Sequence, residues 1–302
     1  MTQYQKSYDS YTTERQWCQY AKMTCPQKIG KRDGAVKARG CADGRPQQQY
    51  TEKGDASSLT VSLEAMMMSC CIDTKEGQYV AVADIPGAFL HANMNKCVHM
   101  IMEGTIAKHI AKLEPKIYRK YIWYDKKGKP MLYVKLKKAL HGTLQAALLF
   151  WQLLSSTLIE WGFAINPYDQ CMANKQIHRK QCTIIWHVDD LKISHVEEKV
   201  IEDIIRRLKE CFGKESPLTT SRVKVLEYLG LTLDYSIWGR VKISMYKYVK
   251  KLVEEAPEDM TGVTKTPAGN HLFTTNPDCD KLSEKMVQVF HHIVAKLLYL
   301  CK

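Results

Sequence analysis

Apolar positions recur along this chain with two spacings, and the changes between them lay out the expected elements. Lys28 to Gly40 carries Asp33-Gly34, a dipeptide suited to a hairpin turn. From Ser58 onward, Leu59, Leu63, Met66, Met67, Cys70 and Cys71 return at helical spacing, a stripe that suits core packing. Gln78 to Ala83 is a nearly continuous apolar run, expected as a buried strand, with Asp84 at its end and Pro86 and Gly87 stopping it. Val98 to Met102 predicts another strand. A long helix is expected from His141, with Gly142 at its entry and Thr143 as its cap, and Gly162 to Pro167 ends it.

Cys182 to Ser194 is the most informative stretch. Seven mostly β-favouring residues run into Asp189 and Asp190, and a second short apolar run follows. That pattern predicts a hairpin with two acids side by side at its tip. Beyond it, Val200, Ile201, Ile204, Ile205, Leu208 and Phe212 mark an amphipathic helix. Val225 to Tyr235 and Arg240 to Ser244 are expected to pair as a hairpin turned at Trp238-Gly239. Tyr246 to Glu255 and Val287 to Cys301 read as helices, and the last runs to the end of the chain, as expected of a fragment.

Composition narrows the classes. With 302 residues and 45% hydrophobic content, the chain suffices for a substantial core in one or two domains. A formal net charge of +12 favours a polyanionic partner such as nucleic acid, although ordinary basic proteins share that balance. The 11 cysteines include no C-x-x-C pair, which argues against zinc ribbons and for a reducing compartment. The longest apolar run, around Ala146 to Leu154, is too short for a membrane span, and the start lacks a signal-peptide core. An intracellular, soluble protein with no membrane partner is therefore expected.

Three carboxylates carry the candidate chemistry. Asp84 ends one buried strand, and Asp189 with Asp190 caps the hairpin 105 positions later. If the strands are neighbours in one sheet, the acids converge, and hard oxygen ligands in a small cluster suit Mg²⁺. Each element also has a plainer reading: Asp84 as a helix N-cap and Asp189-Asp190 as a solvated turn. Lys37 and Arg39 share one face of an expected strand and could hold a triphosphate or a nucleic-acid backbone; a solvated basic hairpin fits them equally. Between Glu114 and Leu140, nine lysines and arginines interleave with Tyr118, Tyr121, Trp123, Tyr124 and Tyr133. That mixture suits phosphates and unpaired bases, or else a solvated ribbon.

Taken together, six motifs in order resemble the reverse transcriptase of copia-type LTR retrotransposons, over about residues 28 to 302. They are Lys31-Arg-Asp-Gly-Ala-Val-Lys-Ala-Arg39, Asp84-Ile-Pro-Gly-Ala-Phe-Leu90, Lys138-Ala-Leu-His-Gly-Thr-Leu-Gln-Ala146, His187-Val-Asp-Asp190, Tyr228-Leu-Gly-Leu231 and Phe290-His-His-Ile-Val-Ala-Lys-Leu-Leu-Tyr-Leu300. The resemblance implies an α+β right-hand polymerase. Its fingers would be 28–77 and 95–140, and its palm, an antiparallel sheet on helices, 78–94 and 141–238. Residues 239–302 would form a connection and partial thumb, after a lead of residues 1–27.

The same resemblance implies Asp84, Asp189 and Asp190 as catalytic ligands of two Mg²⁺ ions, with Mn²⁺ as a substitute. Phe89 would be the steric gate against ribonucleotides, with Lys37, Arg39 and Gly142 also at the dNTP. His187, Tyr228, Leu229 and Gly230 would contact nucleic acid. Implied partners are an RNA template, a DNA primer, the RNA/DNA hybrid, dNTPs, and the protease, integrase and RNase H segments of a Pol polyprotein. The expected setting is a cytoplasmic virus-like particle with a nuclear phase. The sequence departs from the family pattern at His187 (usually Tyr), Ala147 (usually Pro) and Leu144 (usually Lys), and none of these removes a metal ligand. The rival expectations are a non-catalytic, nucleic-acid-binding relic of such an element and a two-metal nuclease.

Overall fold

The computed structural model describes residues 19–30, 36–49, 51–52, 57–214, 216–255 and 278–301, together with 54, 265 and 274. In chain order the elements are β1(Gln19–Gly30), β2(Val36–Asp43), α1(Leu63–Glu76), β3(Tyr79–Asp84), β4(Val98–Glu103), α2(Thr105–Leu113), α3(Pro115–Tyr118), β5(Trp123–Tyr124), β6(Pro130–Lys135), α4(Ala146–Glu160), β7(Ala164–Ile165), β8(Met172–Ile177), β9(Lys180–His187) and β10(Asp190–His195). There follow α5(Glu198–Phe212), β11(Thr219–Ser221), β12(Val225–Tyr228), β13(Leu231–Asp234), β14(Lys242–Ser244), α6(Tyr246–Glu254) and α7(Glu284–Leu300). The chain divides into two compact units, Met1–Leu226 with Tyr235–Val241, and Glu227–Asp234 with Lys242–Lys302.

The first unit contains two sheets. A six-stranded antiparallel sheet runs β11-β3-β10-β9-β8-β7. Ala81, Ala83, Ile184, Ile185, Trp186, Leu191 and Ile193 are buried in it, which explains why its central strands read as unbroken apolar runs rather than as alternation. Helix α5 packs on β3 and β10 through Val200, Ile201, Ile204, Ile205 and Leu208, all buried. A five-stranded sheet runs β2-β1-β4-β6-β5, with β1 parallel to β4. One face of this sheet buries Met100, Met102 and Leu132 against Ala107 of α2. The Lys28 to Gly40 stretch pairs as expected, with Gly30 opposite Val36 and Lys28 opposite Ala38; the extension of β1 back to Gln19 is not expected from the side-chain pattern and is formed by backbone pairing with β2 and β4. The Asp33-Gly34 turn lies outside the described residues.

Several expected boundaries move for physical reasons. Helix α1 begins at Leu63, not Ser58, because Ser62 caps it: the Ala65 N–H donates to Ser62 Oγ, 3.2 Å. The long apolar helix begins at Ala146 rather than His141. Thr143 does not cap it, since its hydroxyl donates back to the Leu140 carbonyl, 2.8 Å. Residue Gly142 has φ +90°, and a Cβ there would meet the Ala42 carbonyl oxygen at 1.9 Å. The close approach at Gly142 is thus to the chain's own β2, joined by the Ala42 N–H donating to the His141 carbonyl, 2.8 Å. Among the described residues, no helix is long and apolar enough to cross a membrane.

The second unit is a small sheet with two helices. The expected single strand Val225 to Tyr235 breaks at Leu229 and Gly230, whose φ values of 49° and 71° turn β12 into β13. Strand β14 then pairs with β13, so the Trp238-Gly239 segment connects those two. Tyr299 of α7 donates its hydroxyl to the Leu229 carbonyl, and its ring tilts against Tyr248 of α6 at 5.2 Å.

Candidate active site

The site is built by pairing across one sheet. In β3, Asp84 lies directly opposite Asp190 of β10, and on its other side opposite Thr219 of β11. Strands β9 and β10 are joined by a two-residue turn, Val188-Asp189, with His187 opposite Asp190. The φ of Val188 is 59°, a value a β-branched residue rarely adopts, and it marks a tight turn of the II′ kind. The Ile85 N–H donates to the Asp189 carbonyl, 3.0 Å, tying the turn to the end of β3. Asp84, Asp189, Asp190 and His187 are all half-buried.

Electrostatics register this closeness. Burial first, then the charges of Asp189 and Asp84, push the Asp190 carboxyl up to about 6. Among the described residues, no three His, Cys, Asp or Glu side chains are already gathered as a metal-binding group. The donor set nevertheless fits a hard divalent cation: three carboxylates share one strand end, and their mutual repulsion is what such an ion relieves.

The remaining expected residues fall in three places. Phe89 lies in a 3₁₀ turn, Ala88–His91, five residues beyond Asp84. Its half-buried ring stacks on His141 (5.4 Å, 25°) and meets Phe150 edge-on at 6.4 Å. Phe150 in turn touches Phe212 at 6.1 Å, so α4 and α5 fix the wall on which Phe89 rests. Gly142 adjoins that wall through His141. Lys37 and Arg39 lie on β2, opposite Ile29 and Gln27 of β1, at an edge of the other sheet. Tyr228, Leu229 and Gly230 belong to the β12–β13 hairpin, where Tyr228 is buried.

Sequence reasoning missed a buried network behind the site. Lys192, two residues after Asp190 on the same strand, pairs with Asp73 of α1 at 2.5 Å, each only 1% exposed. Its ammonium also donates to Ser69 Oγ, 2.8 Å, and Tyr235 donates its hydroxyl to Asp73, 3.0 Å. Burial, reinforced by the nearby Asp73 charge, pushes the Tyr235 phenol upward. The available signal was a lysine inside an apolar strand.

The profile of a family described as reverse transcriptase (RNA-dependent DNA polymerase) matches residues 16–268. The chain is 25% identical over 168 residues to the putative transposon Ty5-1 protein of Saccharomyces cerevisiae, covering 55% of this chain and 51% of that one. It is also 25% identical over 246 residues to the Ty1-NL2 Gag-Pol polyprotein of the same yeast, covering 80% of this chain and 12% of the polyprotein. The chain thus spans about half of the first of these relatives and about an eighth of the second. Among solved structures, Candida tropicalis telomerase in complex with a fragment of telomeric RNA aligns with a TM-score of 0.40 and 11% identity, covering 98% of this chain and 52% of that one.

Proposed function

Because this chain belongs to the reverse transcriptase (RNA-dependent DNA polymerase) family, in its copia-type retrotransposon branch, we propose that it extends a DNA primer along an RNA or DNA template. The observation that carries this reading is the direct cross-strand pairing of Asp84 with Asp190, beside the Asp189 turn. On it, Asp84, Asp189 and Asp190 would hold two Mg²⁺ ions, which would lower the pKa of the primer 3′-hydroxyl and offset the charge of the triphosphate and leaving pyrophosphate.

The chain's own residues orient and select. Phe89, braced by His141 and Phe150, forms the floor that leaves no room for a ribose 2′-hydroxyl. Lys37 and Arg39 hold triphosphate oxygens from the fingers, while Gly142 keeps the helix entry close to β2. His187 contacts nucleic acid beside the carboxylates, and the Tyr228-Leu229-Gly230 hairpin is a nucleic-acid contact of the second unit. In this reading the six-stranded sheet is the palm, the five-stranded sheet the fingers, and residues 239–302 a connection and partial thumb. RNA/DNA hybrid and dNTPs are its partners, alongside the other segments of a Pol polyprotein.

Primer extension on an RNA template with Mg²⁺ or Mn²⁺ tests the proposal. Wild type extends, and Asp189→Asn abolishes extension while leaving salt-sensitive hybrid binding largely intact. A wild type that binds the hybrid but never extends it would overturn catalysis and leave a binding relic. Cleavage without dNTPs would point to a nuclease.

A further inference from the structure

Asp84 marks one end of β3, and a cavity of about 560 Å³ lies at the other. Tyr79 begins that strand opposite His195, whereas Asp84 ends it opposite Asp190, so about 17 Å of extended chain separates the two places. The cavity is lined by first-unit residues alone: the end of α1, the start of β3, the turn into α5, the loop before β12 and the 235–240 segment. None of the residues placed at the carboxylate site lines it. Its volume falls within the range of small-molecule sites.

Its polar atoms define what could fill it. Among the lining residues, Asp73 Oδ1 and Gln78 Oε1 are buried without a hydrogen bond among the described residues. The Asp73 side chain is 1% exposed, and its other oxygen is committed to Lys192 and Tyr235. The Gln78 amide nitrogen donates to Glu76, 2.7 Å. Two acceptors left over at one cavity call for a ligand that brings N–H groups. The wall is aromatic. A Cβ at Gly77 would meet Trp238 Cη2 at 2.1 Å, so the indole edge is pinned there, yet Trp238 stays 83% exposed. A ring fixed in place but left in water suits stacking. Arg222, Lys224 and Arg240 are exposed cations of the lining, against one exposed acid, Glu198. Glu202 engages Arg222 at 2.7 Å, while Lys224 and Arg240 form no ion pair among the described residues.

A flat ring system with N–H donors along one edge and an anionic tail meets all three demands. Among nucleobases, guanine puts ring and exocyclic N–H donors side by side, whereas uracil flanks its single ring donor with carbonyls that would oppose the two acceptors. We propose that this cavity binds a guanine nucleotide, its base on Trp238, its N–H edge toward Asp73 Oδ1 and Gln78 Oε1, and its phosphate at Lys224 and Arg240. The site is separate from nucleotide transfer, requires no metal, and stands whether or not the chain extends primers.

The test is isothermal titration calorimetry of the full chain in EDTA with GMP, guanosine, UMP and inorganic phosphate. GMP should fill one site per chain, and UMP should bind at least about tenfold more weakly because it leaves the two oxygens unpaired. Trp238→Ala should weaken GMP binding by roughly 5- to 150-fold, and Trp238→Phe should retain most of the affinity. Lys224→Gln/Arg240→Gln should bind GMP no better than guanosine, and Gln78→Met should narrow the gap between GMP and UMP. Asp84→Asn should bind GMP as wild type does; loss of binding there would assign the nucleotide to the carboxylates and refute the cavity. No heat at millimolar GMP, equal affinity for GMP and UMP, phosphate alone binding as tightly as GMP, or unchanged binding in Trp238→Ala or Gln78→Met would each overturn the proposal. If a variant fails to fold, photocross-linking of wild type to 8-azidoguanosine monophosphate replaces it: adducts within 77–79 or 235–240 support the cavity, and adducts only elsewhere refute it. A wild type that binds GMP yet never extends a primer keeps this site and removes the polymerase reading. One that extends without binding GMP in EDTA does the reverse.

Discussion

Lys192 and Asp73 offer the sharpest stability test, because their pair lies beneath the strand that carries Asp190. Both are 1% exposed, and Asp73 Oδ1 is buried without a hydrogen bond among the described residues. Asp73→Leu strands the Lys192 ammonium with only Ser69 Oγ as partner. Breaking one half of a buried pair costs about 3–5 kcal/mol. For a unit of this size, that corresponds to a fall in melting temperature of roughly 6–20 °C. Lys192→Met should cost a similar amount by leaving a buried carboxylate held only by Tyr235. Lys192→Met/Asp73→Leu removes both charges and the unpaired Oδ1, so it should return to within about 1 kcal/mol of wild type or exceed it. Urea or thermal unfolding followed by circular dichroism measures the cycle, with a coupling of several kcal/mol expected from the non-additivity. Single variants within about 0.5 kcal/mol of wild type, or a double variant that simply adds, would refute the reasoning.

Three further outcomes follow from the geometry. Phe89→Ala removes the ring held by His141 and Phe150, and ribonucleotide incorporation should rise at least about tenfold relative to dNTP in single-turnover competition; unchanged sugar discrimination would end the gate assignment. Gly142→Ala forces a Cβ against the Ala42 carbonyl at φ +90° and should cost roughly 2–6 kcal/mol, read as a lower urea midpoint. Asp190 has a folded pKa of about 6, above the ordinary 3.8, so its charged form is penalised in the fold. Its contribution to metal-free stability is therefore greatest below pH 4 and is lost as pH rises from about 4 through 6. Mg²⁺ affinity should rise over the same window as the carboxyl releases its proton, and Asp190→Asn should flatten both profiles in thermal melts and titrations.

What could be read from the chain depended on whether burial left a period. The β3, β9 and β10 strands and α5 are packed by side chains, so their residues spell them out. Strand β11 (Thr219–Ser221) is held by backbone pairing with β3, and its polar residues announce nothing. Asp84 and Asp190 carry their chemistry in the sequence, but their adjacency is a property of β3–β10 pairing across the chain. Lys192 was hidden because a lysine in a strand is ordinarily read as facing water. Its partner Asp73 lies on α1, beyond any local pattern. The Val225 to Tyr235 run reads as one strand by its apolar continuity, while Tyr228-Leu-Gly-Leu231 resembles a hairpin motif, and the chain does turn there at Leu229 and Gly230. At Gly142 the close approach is made by the Ala42 carbonyl of β2, a contact that no local pattern announces.

The most direct measurement is Mn²⁺ occupancy by electron paramagnetic resonance, on the chain loaded with a dideoxy-terminated primer–template and a dNTP. The account predicts about two tightly bound ions per chain beyond those bound by nucleic acid and nucleotide alone, with loss of at least one in Asp84→Asn. Identical occupancy in wild type and Asp84→Asn would contradict it.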